Sequence, residues 1–438
     1  MVETLKNMFK VPEIRKRFIF TLFIIVVFRL GAQIPTPGVD PLRLQEFFGS
    51  GNNLFGMLDM FTGGAFTKAS VFSLGVMPYI SASIIIQMLG SVIPSLHKLQ
   101  KEGQEGRKKL TQITRYGTII LAAFQSISVA IFLNSIQTAA GDSVLIDGLS
   151  RWQFMVICVI AMTTGCVLVM WLGEQITSKG IGNGMSLLIL FGIVADLPNA
   201  LYNEYLMLSS GSTTLFSAVL ILAVVMAMVV FIVYIYQAVR KIPIQTPKKA
   251  VGGRVAQGQS TVLPLKINSA GVIPIIFASS LMMLPSVFAG MFPDSRFVQE
   301  MGRALIPGGV WYAAAFALLI IFFTYFYTAI IFNPIDISEN LKKSGGFIPG
   351  VKPGKDTADY IERVLNCITL PGAMFLAFIS VAPFVMMAQM NVSFFFGGTS
   401  VLIVVGVALD TLQRIEAKLQ SHNYSGFMKR GQLKGRIG

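Results

Sequence analysis

Charge is scarce in this sequence: 13% of its 438 residues are Asp, Glu, Lys or Arg, about half of the roughly 25% usual in soluble domains. Hydrophobic side chains make up 54%, so the chain is expected to be an integral membrane protein. Histidine is scarcer still, with His97 and His422 alone. Neither sits in an HExxH pattern, and a Walker A loop and a GxSxG elbow are also missing. These gaps remove the usual side chains of hydrolase, NTPase and metalloenzyme chemistry, so no enzyme, metal or cofactor is expected. Cysteine is limited to Cys158, Cys166 and Cys367, in neither metal spacing nor a disulfide framework. All three read as small apolar packing residues.

Ionisable groups within the apolar runs are equally few: Arg29, Asp196 and Asp410. Such groups are costly to bury and functional by default, and these three do not compose the proton or ion relay of a coupled transporter. Arg29 reads as a snorkelling or paired residue that fixes the first helix. Glycines at 180, 182 and 184 form a GIGNG turn, but it leads straight into an apolar run and carries no phosphate-binding lysine. It reads as the start of a helix.

What the chain has is long hydrophobic runs. Ten spans are expected near residues 18–34, 71–93, 116–136, 152–172, 184–201, 214–239, 269–292, 310–332, 365–388 and 394–412. The first is long, contains Arg29 and lacks a small-residue cleavage site, so it reads as a retained anchor rather than a removed signal peptide. If the N-terminus is cytoplasmic, 29 of the 35 basic residues fall in inside segments, which fixes both termini inside by the positive-inside rule. Division into residues 1–210 and 211–438 gives five spans per half. An odd number inverts one half relative to the other, and inverted repeats place a pathway at their interface.

Within this pattern Leu54–Val92 stands apart. The apolar segment Leu54–Phe61 is too short to cross a hydrocarbon core, whereas a run from about Val71 to Ile93 is long enough. Gly63 and Gly64 break the helix between them, and such a break is tolerated where protein or a water-filled cavity covers the backbone. A short helix folded into a cavity, residues 54–66, could act as a stopper; a re-entrant hairpin packed for structural reasons is the other reading.

The stretches MFTGGAF and LGVMPYISASIIIQ, then GEQITSKGIGNGMSLLI, STVLPLKINSAGVIPIIFASS, ENLKKSGGFIPGVKPG and FFFGGTSVLIVVGVALD, resemble the SecY family of protein-conducting channels, in that family's order. The resemblance implies an all-α membrane fold of ten helices in two inverted five-helix halves with a re-entrant plug helix. It implies the central channel of the general secretion translocon, in the cytoplasmic membrane, passing unfolded secretory chains across and releasing hydrophobic segments sideways into lipid. The implied partners are the membrane subunits SecE and SecG, the SecA motor, the ribosome, the secretory and membrane-protein substrates, and anionic lipid. A secondary transporter with inverted repeats and a small-solute channel are the alternatives that composition leaves open.

The resemblance also bears on single residues. Val76 and Ile80 are four apart, as are Met185 and Ile189, so each pair shares one helix face; composition alone would assign them to packing or lipid contact. The resemblance places them with Ile276 and Ile403 in an apolar pore ring, although the family mostly uses isoleucine where this chain has Val76 and Met185. It places Met57, Phe61, Gly63 and Gly64 in the plug. Gln87 lies seven residues beyond Ile80 and Asn268 eight before Ile276, about 10 and 12 Å along their helices at 1.5 Å per residue. The two amides are expected at similar depth, as bridging partners of a lateral gate or each satisfied within its own helix.

Two long loops, about 240–268 and 333–363, carry Lys248, Lys249, Arg254 and Lys266, and Lys342, Lys343, Lys352 and Lys355. Topology and anionic lipid account for much of this charge, but long loops more often carry function. In the family such loops dock the ribosome and the motor. Lys352 stands where the family has a prominent arginine, and Gly253 and Arg254 where it has an arginine pair. Lysine keeps the charge and loses the bidentate fork.

Overall fold

Proline has no N–H to donate, and the first turn of a helix needs none; Pro12, Pro78, Pro94 and Pro334 each open one. A computed structural model describes the chain except residues 1–10, 45–62, 137–142, 147, 149, 212–213, 246–248, 252–253, 257–259, 292–294, 297–299, 301–304, 306–308, 391–397 and 431–438. In chain order the helices are α1 (Pro12–Gly31), α2 (Met77–Val92), α3 (Pro94–Lys101), α4 (Gly103–Ser135), α5 (Arg151–Lys179), α6 (Gly184–Ser209) and α7 (Leu215–Gln237). Next come strands β1 (Val239–Gln245), β2 (Lys249–Val251), β3 (Arg254–Ala256) and β4 (Ser260–Lys266). Helices α8 (Ile273–Met291), α9 (Val310–Ile331), α10 (Pro334–Lys343), α11 (Lys355–Met390) and α12 (Gly398–Arg430) complete the chain.

The chain is an all-α membrane protein. Among the described residues seven helices are long and apolar enough to cross a membrane, or eight if α2 and α3 count as one span bent by 105°. That bend falls at Ile93, which is extended (φ −88°, ψ 117°) because the residue before a proline is pushed out of the helical region. The second span also starts later than expected. Residues 71–76 form turns rather than helix, since Gly75 has φ +54° and Pro78 permits a helix only from about its own position onward.

The chain divides into two compact units. The first comprises Met1–Leu201, Met283–Gly302 and Val407–Gly438. In it α4 packs on α2 and α5, and α1 on α5. Lipid tails are as apolar as leucine, so such helices associate by close packing and small residues. Gly184, at the start of α6, shows this: an added Cβ would overlap the Gly173 carbonyl of α5. The GIGNG turn behaves as expected, with Gly182 at φ +81° and the Gly184 N–H donating to Thr177 Oγ1 at 2.9 Å. Ser150 and Gln153 form a capping box at the other end of α5. Cys158 and Cys166 lie in the core with Phe154 and Met162. Cys367 is exposed, contrary to its reading as a packing residue, because its face of α11 is uncovered.

The second unit comprises Tyr202–Met282 and Arg303–Gly406. Here α9 packs along α11, and α10 on α11. Helix α7 exposes Phe216, Val219, Leu222, Met226 and Val230, as a helix bathed in lipid can. Loop 240–268 contains regular structure. It holds two antiparallel ribbons, β1 with β4 and β2 with β3. The alternation of VRKIPIQ buries Ile242 and Ile244 on one face, and Pro243 and Pro264 are tolerated because both strands of a two-stranded ribbon are edges.

Candidate functional site

The short apolar segment Leu54–Phe61 lies outside the described residues, and so do Met57 and Phe61; its C-terminal boundary does not. Gly63 and Gly64 have φ +65° and +78°, a conformation that costs glycine little and other residues much. The guanidinium of Arg29, near the end of α1, donates from Nη1 to the Gly63 carbonyl at 3.0 Å. An added Cβ on Gly63 would meet that Nη1 and, at 2.6 Å, the carbonyl of Gly192 on α6. Asp196, one helical turn beyond Gly192, brings Oδ1 within 3.3 Å of the Cβ position at Gly64. The two-glycine break is thus wedged between α1 and α6, with a cation on one side and a carboxylate on the other.

Beyond the break the chain is pinned to the end of α1 and to residues 34–36 just after it. The Ser70 N–H closes a turn on Ala65 O at 2.8 Å, the Thr36 N–H donates to Ala69 O at 2.8 Å, the Val71 N–H to Ile34 O at 3.0 Å and the Ser70 hydroxyl to the Gly31 carbonyl at 3.3 Å. Phe72 stacks on Phe28 with ring centroids 6.0 Å apart. None of this was legible in the sequence beyond Arg29 itself, whose partner is a backbone carbonyl 34 residues away.

The six residues assigned to the ring are all buried. Val76 caps α2, and the Ile80 N–H donates to its carbonyl at 3.1 Å; Met185 and Ile189 lie in the first turns of α6, with the Met185 thioether against Gly173. These four belong to the first unit, and Ile276 on α8 and Ile403 on α12 to the second. The amides assigned to the gate are occupied locally. Gln87 Nε2 donates to Ser83 Oγ at 3.0 Å, within α2. Asn268 Nδ2 donates to the Gly271 carbonyl at 3.2 Å, while its buried Oδ1 has no hydrogen bond. Asn268 precedes α8, which begins at Ile273, so the helical rise used to place it near 12 Å does not apply.

The basic loops, read separately in the sequence, form one surface. Gln245 at the end of β1 and Phe347 exchange both backbone hydrogen bonds at 2.9 Å. Ile242 and Leu265 of the ribbon share an apolar cluster with Ile348, Ile361 and Leu365. The turn carrying Lys352 is fixed by Ser338 Oγ donating to Gly354 O at 2.6 Å and Thr357 Oγ1 donating to Lys352 O at 2.8 Å. Lys266 closes β4 opposite Val239, and Lys266, Lys352 and Lys355 are exposed. Lys249 and Arg254 lie on β2 and β3; Lys248 is outside the described residues. No group of side chains suited to a metal ion occurs among the described residues.

Known proteins of the same kind share this architecture. The protein translocase subunit SecY of Aquifex aeolicus (strain VF5) is 43% identical over 433 residues, spanning 98% of this chain and all of its own. A solved structure concerned with the plug domain of SecY and its membrane seal matches with a TM-score of 0.62 at 17% identity, over 92% of each chain. Sec61 in a canine ribosome-channel complex from the endoplasmic reticulum matches with a TM-score of 0.61 at 15% identity, again over 92% of each chain. The SecY family model covers residues 70–412, and on that match, together with the near full-length identity, the chain belongs to the SecY family.

Proposed function

We propose that this chain is the channel subunit of a secretion translocon, a multi-pass protein of the cytoplasmic membrane with both termini inside. Unfolded secretory polypeptides pass through it, and sufficiently hydrophobic segments leave sideways into lipid. The observation that carries this reading is the near end-to-end identity with a protein translocase subunit. Val76, Ile80, Met185, Ile189, Ile276 and Ile403 form the constriction. Apolar constrictions exclude ions by dewetting, and they offer a polar passing chain no hydrogen bond that would hold it.

Residues 54–66 stopper this ring at rest, tethered at Gly63 and Gly64. Gln87 and Asn268 border the lateral opening. The chain carries no catalytic machinery of its own, and energy comes from partners. The basic surface around Lys266, Lys352 and Lys355 docks the SecA motor and the ribosome, and it also faces anionic lipid. SecE and SecG brace the two halves.

The test is crosslinking of a stalled secretory chain to single cysteines at Ile80, Ile189, Ile276 and Ile403. Capture at these four positions is expected. Capture elsewhere only, or a saturable small-solute flux through the purified chain, would remove the proposal.

A further inference from the structure

We propose that the cleft between α9, α10 and α11 binds one membrane lipid with a zwitterionic headgroup, a phosphate bearing a primary ammonium, as in phosphatidylethanolamine. The site rests on the membrane fold alone and not on the translocation reading, so each can fail without the other.

The cleft has a volume of about 900 Å³ and lies wholly within the second unit, inside the roughly 300–1,000 Å³ typical of ligand sites. Phe322, Phe326 and Phe332 line one end, and Phe322 stacks on Phe326 with ring centroids 6.1 Å apart. Helix α9 runs about 14 Å from Phe322 to its end at Ile331. That is close to the depth of one leaflet, half of a hydrocarbon core about 30 Å thick. Two hydroxyls buried in the wall are engaged within the protein, Thr328 Oγ1 donating to Thr324 O at 2.7 Å and Ser338 Oγ to Gly354 O at 2.6 Å. Neither asks anything of an occupant, and an apolar wall of this kind suits an acyl chain.

The other end is charged, and of both signs. Glu339 and Lys342 share one face of α10, as Lys355, Asp359 and Glu362 do of α11, and all five line the cleft. Glu339 faces Lys343 at 3.8 Å. That leaves the ammonium groups of Lys342 and Lys355 and the carboxylates of Asp359 and Glu362, all on exposed residues, to meet a headgroup. The lysines match its phosphate and the carboxylates its ammonium. Phosphatidylglycerol brings the phosphate without the ammonium, so Asp359 and Glu362 would meet a like charge and no cation, which discriminates against it. The basic loops favour anionic lipid; in the cleft the acidic pair reverses that preference.

The test uses the full-length chain assembled with tryptophan-free SecE and SecG in vesicles of phosphatidylethanolamine and phosphatidylglycerol. Phe326→Trp places a probe in the cleft, with Trp152, Trp171 and Trp311, the three tryptophans of the chain, changed to Phe. Two preparations of identical composition carry bromine on the acyl chains of one lipid or the other, so the ratio of quenching reads the headgroup preference. Phe378→Trp, on an exposed position of α11 outside the cleft, reports the bulk bilayer.

At position 326 phosphatidylethanolamine should be preferred about two- to thirtyfold, as two exposed charge pairs allow, and at position 378 not at all. Asp359→Asn with Glu362→Gln should abolish the preference; if that double variant does not accumulate, Glu362→Gln alone should reduce it. Lys355 is left in place because it also belongs to the docking surface. Equal quenching by the two lipids at position 326, or a preference for phosphatidylglycerol, overturns the site. So does a preference that survives loss of the carboxylates. Quenching at position 326 that appears only when SecE and SecG are left out would show that a partner's helix fills the cleft, and overturns it equally.

Discussion

Replacing Ile361 by alanine should weaken docking of the motor or the ribosome although Ile361 carries no charge and touches neither. Its side chain is fully buried, and it packs with Ile242 and Leu265 of the β1/β4 ribbon and with Ile348 of the neighbouring loop. Truncation of a buried isoleucine to alanine costs about 2 to 5 kcal/mol. An isolated two-stranded ribbon is marginally stable at best, so most of that cost falls on the attachment of the ribbon. A partner that needs the ribbon in place must then restore its order. At about 1.4 kcal/mol per factor of ten, even the low end predicts a loss of about thirtyfold in affinity. Ile361→Val, at about 0.5 to 1.5 kcal/mol, should lose about two- to tenfold.

Titration of the purified motor against the reconstituted channel measures the affinity, and limited proteolysis within residues 240–268 measures the ribbon's order. Lys352→Ala and Lys355→Ala supply the contrast. They should weaken docking most at low salt, where exposed charges are least screened, and leave the proteolysis pattern unchanged. Ile361→Ala docking as well as Ile361→Val, or resisting protease equally, would refute the idea that the apolar cluster holds the docking surface together.

Ile80→Asp and Ile276→Asp should each hydrate the constriction and let ions through the resting channel, read as conductance in planar bilayers; unchanged conductance in both would remove them from the ring. Gly184→Ala should destabilise by about 1 to 3 kcal/mol, because its methyl would overlap the Gly173 carbonyl, and thermal unfolding in detergent should show the lower midpoint. Gln87→Leu and Asn268→Leu should each shift the hydrophobicity a signal needs for export, and the double variant should shift it by the sum, since each amide is bonded within its own segment and independent sites add; a departure from the sum would show that the two amides meet.

How much of this was legible in the sequence depends on the range of the forces involved. The long helices were, because crossing a membrane demands a run of apolar residues that no neighbour can supply. Their ends were legible wherever a proline or glycine decides them locally, as at the GIGNG turn. The start of α2 was misread since Val71 to Val76 are as apolar as the helix they precede, and hydropathy cannot distinguish a turn buried against α1 from a helix. Ser70, fully buried there, was the overlooked sign. Its hydroxyl serves backbone that has left helical geometry, accepting from the Phe72 N–H at 2.9 Å and donating to the Gly31 carbonyl at 3.3 Å.

Arg29 and the two amides show the limit from opposite sides. A charge within an apolar run must either reach water or find a partner, and the sequence left both open for Arg29; it could not name a carbonyl, because every residue has one. Amides announce less. Gln87 donates to Ser83, one turn back on its own helix, and Asn268 to Gly271, three residues on, so each finds an acceptor without another helix. Depth along an ideal helix was the ground for pairing them, and it fails for Asn268 because residues 267–272 are turns and bends, where advance per residue is not about 1.5 Å. There remains the unpartnered Oδ1 of Asn268, buried and able to accept. Leaving such an acceptor unmet costs about 1 to 3 kcal/mol. Leucine at position 268 alone therefore removes a penalty as well as a bond, and the single variant is the one in which the sign of the effect carries the information.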